Sequence, residues 1–237
     1  MKPRFSNQTN RPLTLVEVLV VIAVLAVLFA LLLPTGPHVG QKAIRINCVN
    51  NLKEIGLAYH IWAGDHEDKF PMQVSITDTN GGGTMELIST GNVFATFQIM
   101  SNELSTPLIL YCTADKDRTR ATDFTTNFSA KSISYFVGVD ANQNHPLMIL
   151  SGDDNFEING VPIKSGLQEL STNTPISWPA ARHKFAGNIG LVDGSVEEVS
   201  TVVLQTALRQ TGAVTNRLAI PWNCFTPARS STPRCSS

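Results

Sequence analysis

From Leu13 to Leu33 only Thr14 and Glu17 interrupt an apolar segment, which matches the roughly 20 residues a helix needs to cross a bilayer. Such a segment has to leave water, and the rest of the chain must fold around that requirement. Lys2, Arg4 and Arg11 precede it without any acidic residue. The bias of positive charge toward the cytoplasm keeps that end inside and sends the remainder across. A cleaved secretory signal has a shorter apolar core followed by a small-x-small site. Here the run ends in Leu31-Leu32-Leu33-Pro34, which favours a retained anchor. The expected topology is a single-pass membrane anchor with a cytoplasmic N-terminus and the remainder exported.

An ionised carboxylate within an apolar helix costs on the order of 2.5–3.5 kcal/mol, so Glu17 needs a partner. It either lies close enough to the cytoplasmic end to reach the headgroups, or it pairs with a cation on a neighbouring subunit, such as a free N-terminal amine. Pro34, Gly36, Pro37 and Gly40 follow the run. Proline inside a helix removes a hydrogen bond and clashes with the preceding turn, so the helix is expected to break over residues 34–40. Beyond the break Ile44, Cys48, Leu52, Ile55 and Tyr59 recur at intervals of three and four, which predicts an amphipathic helix over 41–64. Gly64 and the polar stretch Asp65-His66-Glu67-Asp68 end it.

These residues carry a family resemblance. Leu13-Thr14-Leu15-Val16-Glu17, behind a short basic leader (1–12), is similar to the N-terminal cleavage and methylation motif of type IV pilins and type II secretion pseudopilins. The resemblance implies that a prepilin peptidase cuts before Leu13, that the new amine is N-methylated, and that Glu17 neutralises the amine of the adjoining subunit. The family has glycine before the cut where this chain has Pro12. Pilins also carry a helix-breaking proline at the offset of Pro34. The segment Cys48-Val49-Asn50-Asn51-Leu52-Lys53-Glu54-Ile55 resembles a planctomycete and verrucomicrobial subgroup of pseudopilin-like chains. Tyr111-Cys112-Thr113-Ala114-Asp115 resembles its mid-chain cysteine motif, with Thr113 where proline is usual. His183, nine residues, then Asp193-Gly194 resembles its H-x9-DG motif. The implied fold is α+β and pilin-like, a long N-terminal helix packed on a small antiparallel sheet. The implied partners are other pilin or pseudopilin subunits, the peptidase/methylase and an inner-membrane assembly platform.

At 237 residues there is room for one compact domain beyond the anchor. The head is expected over 65–220, with a tail over 221–237. Short apolar or alternating runs at 132–139, 147–150, 188–192 and 196–199 read as an antiparallel sheet. Asp193-Gly194 suits a tight turn between the last two, because Asp-Gly readily takes positive φ. Four cysteines contain no C-x-x-C pair, which argues against a zinc ribbon or a thioredoxin-type site. They allow three disulfide connectivities, of which Cys224 with Cys235 is a candidate tether for the tail.

Net charge −1 and the absence of a basic stripe argue against nucleic-acid binding. No nucleophile-elbow, zinc-protease or dinucleotide motif is present. Gly81-Gly82-Gly83 lacks the Lys-Ser or Lys-Thr of a phosphate loop, and Asn127-Phe128-Ser129 is a chance sequon. The chain reads as non-enzymatic and without a cofactor. Asp140-x-Asn142-x-Asn144 begins like a calcium loop but has His145 where glycine is needed. Some pseudopilins bind calcium in C-terminal loops, which leaves Asp153, Asp154 and Asp193 as calcium candidates. The functional expectation is a structural subunit of a pseudopilus or pilus-like filament, linked to type II secretion. Its rivals are an anchored binding or sensor protein that does not polymerise, and a membrane-tethered hydrolase using His183 and Asp193.

Overall fold

The computed structural model describes residues 14–32, 38–222, 224–225 and 234–235. The chain divides into two compact units, residues 1–40 and 41–237. The expected leader, cleavage point (Pro12, Leu13) and the part of the expected break that holds Pro34, Gly36 and Pro37 lie outside the described residues, while residues 38–40, also expected in the break, are helical.

In the first unit, α1 (Leu15–Leu32) opens on a reciprocal cap. The Glu17 amide donates to the Thr14 hydroxyl at 3.3 Å, and the Thr14 amide and hydroxyl both donate to Glu17 Oε2 at 2.8 Å. This is the Ser/Thr-x-x-Glu box that satisfies the free donors of a first turn. Glu17 therefore has a partner within its own helix, an option the sequence reading overlooked. Every residue from 14 to 30 is exposed. Among the described residues no helix is long and apolar enough to cross a membrane. The 18 residues of α1 rise about 27 Å, against a hydrocarbon core of about 30 Å. The spanning helix expected over 13–33 is to that extent corrected, Leu13 and Leu33 lying outside the described residues.

The second unit is α+β. It begins within α2 (His38–Gly64), whose Cys48, Leu52, Ile55, Tyr59 and Trp62 are all buried. Three short helices follow, α3 (Met85–Ile88), α4 (Val93–Ile99) and α5 (Ser101–Leu104). No strand lies between 65 and 134, so a large part of the expected β-rich region is helical or irregular. Here Pro71 and Pro107 open 3-10 turns, where proline's fixed φ is suited and its missing donor is not required.

The strands are β1 (Tyr135–Gly138), β2 (Ile149–Asp153), β3 (Glu157–Ile158), β4 (Val161–Pro162), β5 (Gly166–Ser171), β6 (Ile176–Ser177), β7 (Ala186–Leu191), β8 (Val196–Ser200) and β9 (Thr215–Ile220), with α6 (Thr201–Gln210) between the last two. A six-stranded antiparallel sheet runs in the order β5-β9-β1-β2-β7-β8, and β4-β3-β6 form a separate three-stranded sheet. Period-2 alternation divides the core. Tyr135, Val137, Leu150 and Ala219 join α2 and the short helices on one face. Phe136, Ile149, Ile189 and Leu218 join α6 and the small sheet on the other. Both faces are covered, which a small sheet under a single helix would not be. β10 (Cys224–Phe225) and β11 (Arg234–Cys235) pair so that the backbones of Cys224 and Cys235 stand opposite; their side chains are outside what the structure describes.

Candidate functional site

Polar side chains collect where β2 ends beside the loop 178–185 that feeds β7. Asp153 and Asp154 close β2 and are fully buried. Asp154 offers one carboxylate oxygen to each of two arginines, Oδ2 to Arg118 and Oδ1 to Arg182, while Arg182 also donates to Asp115 at 2.5 Å. Arg118 approaches Asp115 at 3.7 Å, and Ser134 donates its hydroxyl to Asp115 at 2.9 Å. Two carboxylates and two guanidiniums thus form a buried tetrad of zero net charge. Burial pushes the Asp115 carboxyl above its usual range, and Arg182 opposes that. Burial pulls Arg182 down, but Asp154 and Asp115 outweigh it and hold the guanidinium charged. The tetrad floors a cleft of about 770 Å³ walled by Phe156, Val161 and Ile163.

On the other side of Arg182, the His183 ring lies 3.4 Å from Cys112 Sγ and 3.6 Å from Asp153 Oδ2. Cys112 Sγ stands 2.8 Å from Cys48 Sγ of α2. Asp153 Oδ2 also accepts from the Asn188 amide and side chain, both at 2.8 Å, while its Oδ1 is buried without a hydrogen bond. Burial raises the Asp153 carboxyl, with His183 opposing. Burial lowers His183, but its bond to Cys112 and the charge of Asp153 carry it above the ordinary histidine value. Arg45 of α2 reaches the His183 carbonyl and Glu198 of β8. The loop takes positive φ at three non-glycine residues, Arg182, Lys184 and Phe185. Each costs about 1–3 kcal/mol and persists only where its surroundings impose it; at Arg182 the ion pairs with Asp115 and Asp154 do so.

Cys112, His183 and Asp153 line up as a nucleophile, a base and an orienting carboxylate would. Catalysis does not follow. Contact with Cys48, then burial, pushes the Cys112 thiol up, the opposite of an activated thiolate. Both cysteines are fully buried, and His183 is 3% exposed.

The H-x9-DG residues are not brought together. Asp193 is exposed in the β7–β8 turn, where its carboxylate accepts from the Ser195 amide at 2.8 Å. Gly194 there has φ of +83°. His183 and Asp193, the pair of the hydrolase alternative, each have their own partners: a loop histidine beside Cys112 and Asp153, and a turn carboxylate bonded by Ser195. The calcium candidates also have separate partners: Asp154 is paired with two arginines, Asp153 accepts from Asn188 and faces His183, and Asp193 caps a turn. Asp140 bonds the Arg217 amide and guanidinium. Of the motif residues near Cys48, Asn51 donates to the Tyr111 carbonyl and the Tyr135 hydroxyl, both at 3.2 Å, and Leu52 enters the core. The sequence reading missed Arg118, Arg182 and Asn188. A pair of acidic residues closing an apolar strand at 149–154 was the available signal, because such carboxylates need buried cations.

Comparison with known proteins finds no match: no family model, curated protein or solved structure matches the chain.

Proposed function

We propose that the chain is a membrane-anchored subunit of a pseudopilus or pilus-like filament, probing no chemistry of its own and working by assembly. The observation that carries this reading is α1. Its apolar residues are exposed all round, Leu15 at 77%, Leu25 at 51% and Phe29 at 71%, and a helix apolar on every face is one that is buried in its working state. Before assembly lipid covers it; in the filament the same helices of neighbouring copies do. The basic leader orients the head outward. The cap changes what is asked of Glu17. A processed chain keeps the Thr14 amide, so the carboxylate closes its own first turn and turns its remaining capacity toward the amine of the next subunit.

Two variants separate the roles. Thr14→Ala removes the hydroxyl's two bonds of the cap and leaves the Thr14 amide donating to Glu17, whereas Glu17→Ala removes the carboxylate itself. Cross-linking between copies in membranes is expected to survive Thr14→Ala and fail in Glu17→Ala. Equal cross-linking in both would overturn the registering role. Intact mass from membranes tests processing: the mature chain begins at a methylated Leu13. A second reading, an anchored binding protein, is favoured by the cleft over the Asp115, Arg118, Asp154 and Arg182 floor. It predicts a monomer whose state is indifferent to Glu17.

A further inference from the structure

We infer that Cys48 and Cys112 form a disulfide that staples α2 to the loop after the second unit's helical segment. The two sulfurs are 2.8 Å apart across 64 positions of chain. Carbon atoms in non-bonded contact rest at about 3.5–4.0 Å, and sulfur is larger, so two thiols held this close are crowded. A bond, at about 2.05 Å, relieves the crowding by a small approach. A shared zinc ion does not. Zinc–sulfur bonds of about 2.3 Å at a tetrahedral angle hold two thiolates about 3.8 Å apart, which would require α2 and the loop to separate. His183 completes a three-donor set around the pair, and the sulfur spacing, nearer to a bond than to two zinc-bound thiolates, favours the disulfide.

The place of the pair gives it a use. Cys48 is the first fully buried residue of α2, with Ile44 and Arg45 half-buried and Ile46 and Asn47 exposed before it. In a subunit anchored through α1, tension enters the head along α2, and among the side chains described there Cys48 is the first buried one it reaches. A covalent link there passes the load to Cys112 instead of leaving it to packing alone. This inference rests on the export reading for its oxidant, an oxidised dithiol of the protein disulfide-donor class. One cysteine loses its proton and attacks the donor disulfide, releasing one donor thiolate. The second cysteine attacks the mixed disulfide, the Cys48–Cys112 bond forms, and the donor leaves as a dithiol carrying two electrons. Since both sulfurs are buried, the exchange precedes closure of the core.

The test uses the full chain carrying Cys224→Ala and Cys235→Ala, extracted from membranes, denatured and alkylated with and without prior reduction, then digested. The expected result is a linked peptide pair containing Cys48 and Cys112 that separates on reduction, with neither thiol alkylated before it. A parallel sample refolded in a glutathione redox buffer forms the same pair whether or not the chain is exported. Linkage in that buffer but not in the membrane extract leaves the pairing standing and overturns the export reading. Two freely alkylated thiols in both samples overturn the staple. Stoichiometric zinc that a chelator removes, with both thiols then reactive, overturns it in favour of a metal centre. In intact folded chain, reduction is expected to raise the unfolded-to-folded ratio about a thousandfold.

Discussion

Replacing Arg182 by methionine removes a cation from the tetrad while keeping most of its volume. Arg182 bonds Asp154 and Asp115, both fully buried, and is itself only 10% exposed. Breaking a buried pair by deleting one partner costs about 3–5 kcal/mol, since the charge left behind is uncompensated. Arg118 remains beside both carboxylates, so the lower end applies, about 3 kcal/mol. For a unit of this size that is a fall in Tm of roughly 6–12 °C. The pH dependence has a definite sign. Asp115 already has its carboxyl raised by burial, with Arg182 the leading opposing influence; without Arg182 it rises further. A carboxyl whose folded pKa is raised contributes stability that is complete below its unfolded value of 3.8 and lost as pH rises through the folded one. The deficit of the variant is therefore largest at neutral pH and narrows as pH falls toward 3.8. Denaturant unfolding of wild type and variant at a series of pH values measures this. A deficit below about 1 kcal/mol that stays constant with pH would refute the account of a buried, charge-balanced tetrad.

Reduction of the folded chain is expected to cost about 4 kcal/mol, the chain entropy released by opening a loop of this length, and Cys48→Ala/Cys112→Ala should show no difference between oxidising and reducing buffers in thermal melts. Gly187→Ala places a Cβ 2.2 Å from the Trp178 indole; the ring must move within a packed face, costing about 2–3 kcal/mol, read as a lower Tm and a changed Trp fluorescence. Asp193→Ala is expected to cost no more than about 0.5 kcal/mol, because the turn is exposed and solvent screens it. Its hydrogen bond from Ser195 holds the carboxyl below the usual range, so that contribution is present above 3.8 and disappears as pH falls through the depressed value. A larger loss would mean Asp193 has a partner beyond its turn.

Residues 15–32 and the stripe Cys48, Leu52, Ile55, Tyr59 are readable in the sequence, because a helix face is written in neighbours three and four apart. So are Tyr135–Gly138 and the Asp193-Gly194 turn, whose alternation and turn chemistry are local. The same local reasoning reads a strand at 196–199 and passes over α6, whose Thr201, Val202 and Val203 are β-branched; the helix forms there because Leu204, Ala207 and Leu208 find the core beneath the sheet. The Thr14–Glu17 cap was legible and was missed in favour of longer-range partners. What the tertiary structure alone decides is which distant groups meet. Cys48 reaches Cys112 across 64 positions, Asp154 reaches Arg118 across 36 and Arg182 across 28. No local pattern encodes those pairings, because they depend on the paths of the intervening loops. A buried carboxylate advertises that it needs a cation, yet only the packed fold determines which arginine supplies it.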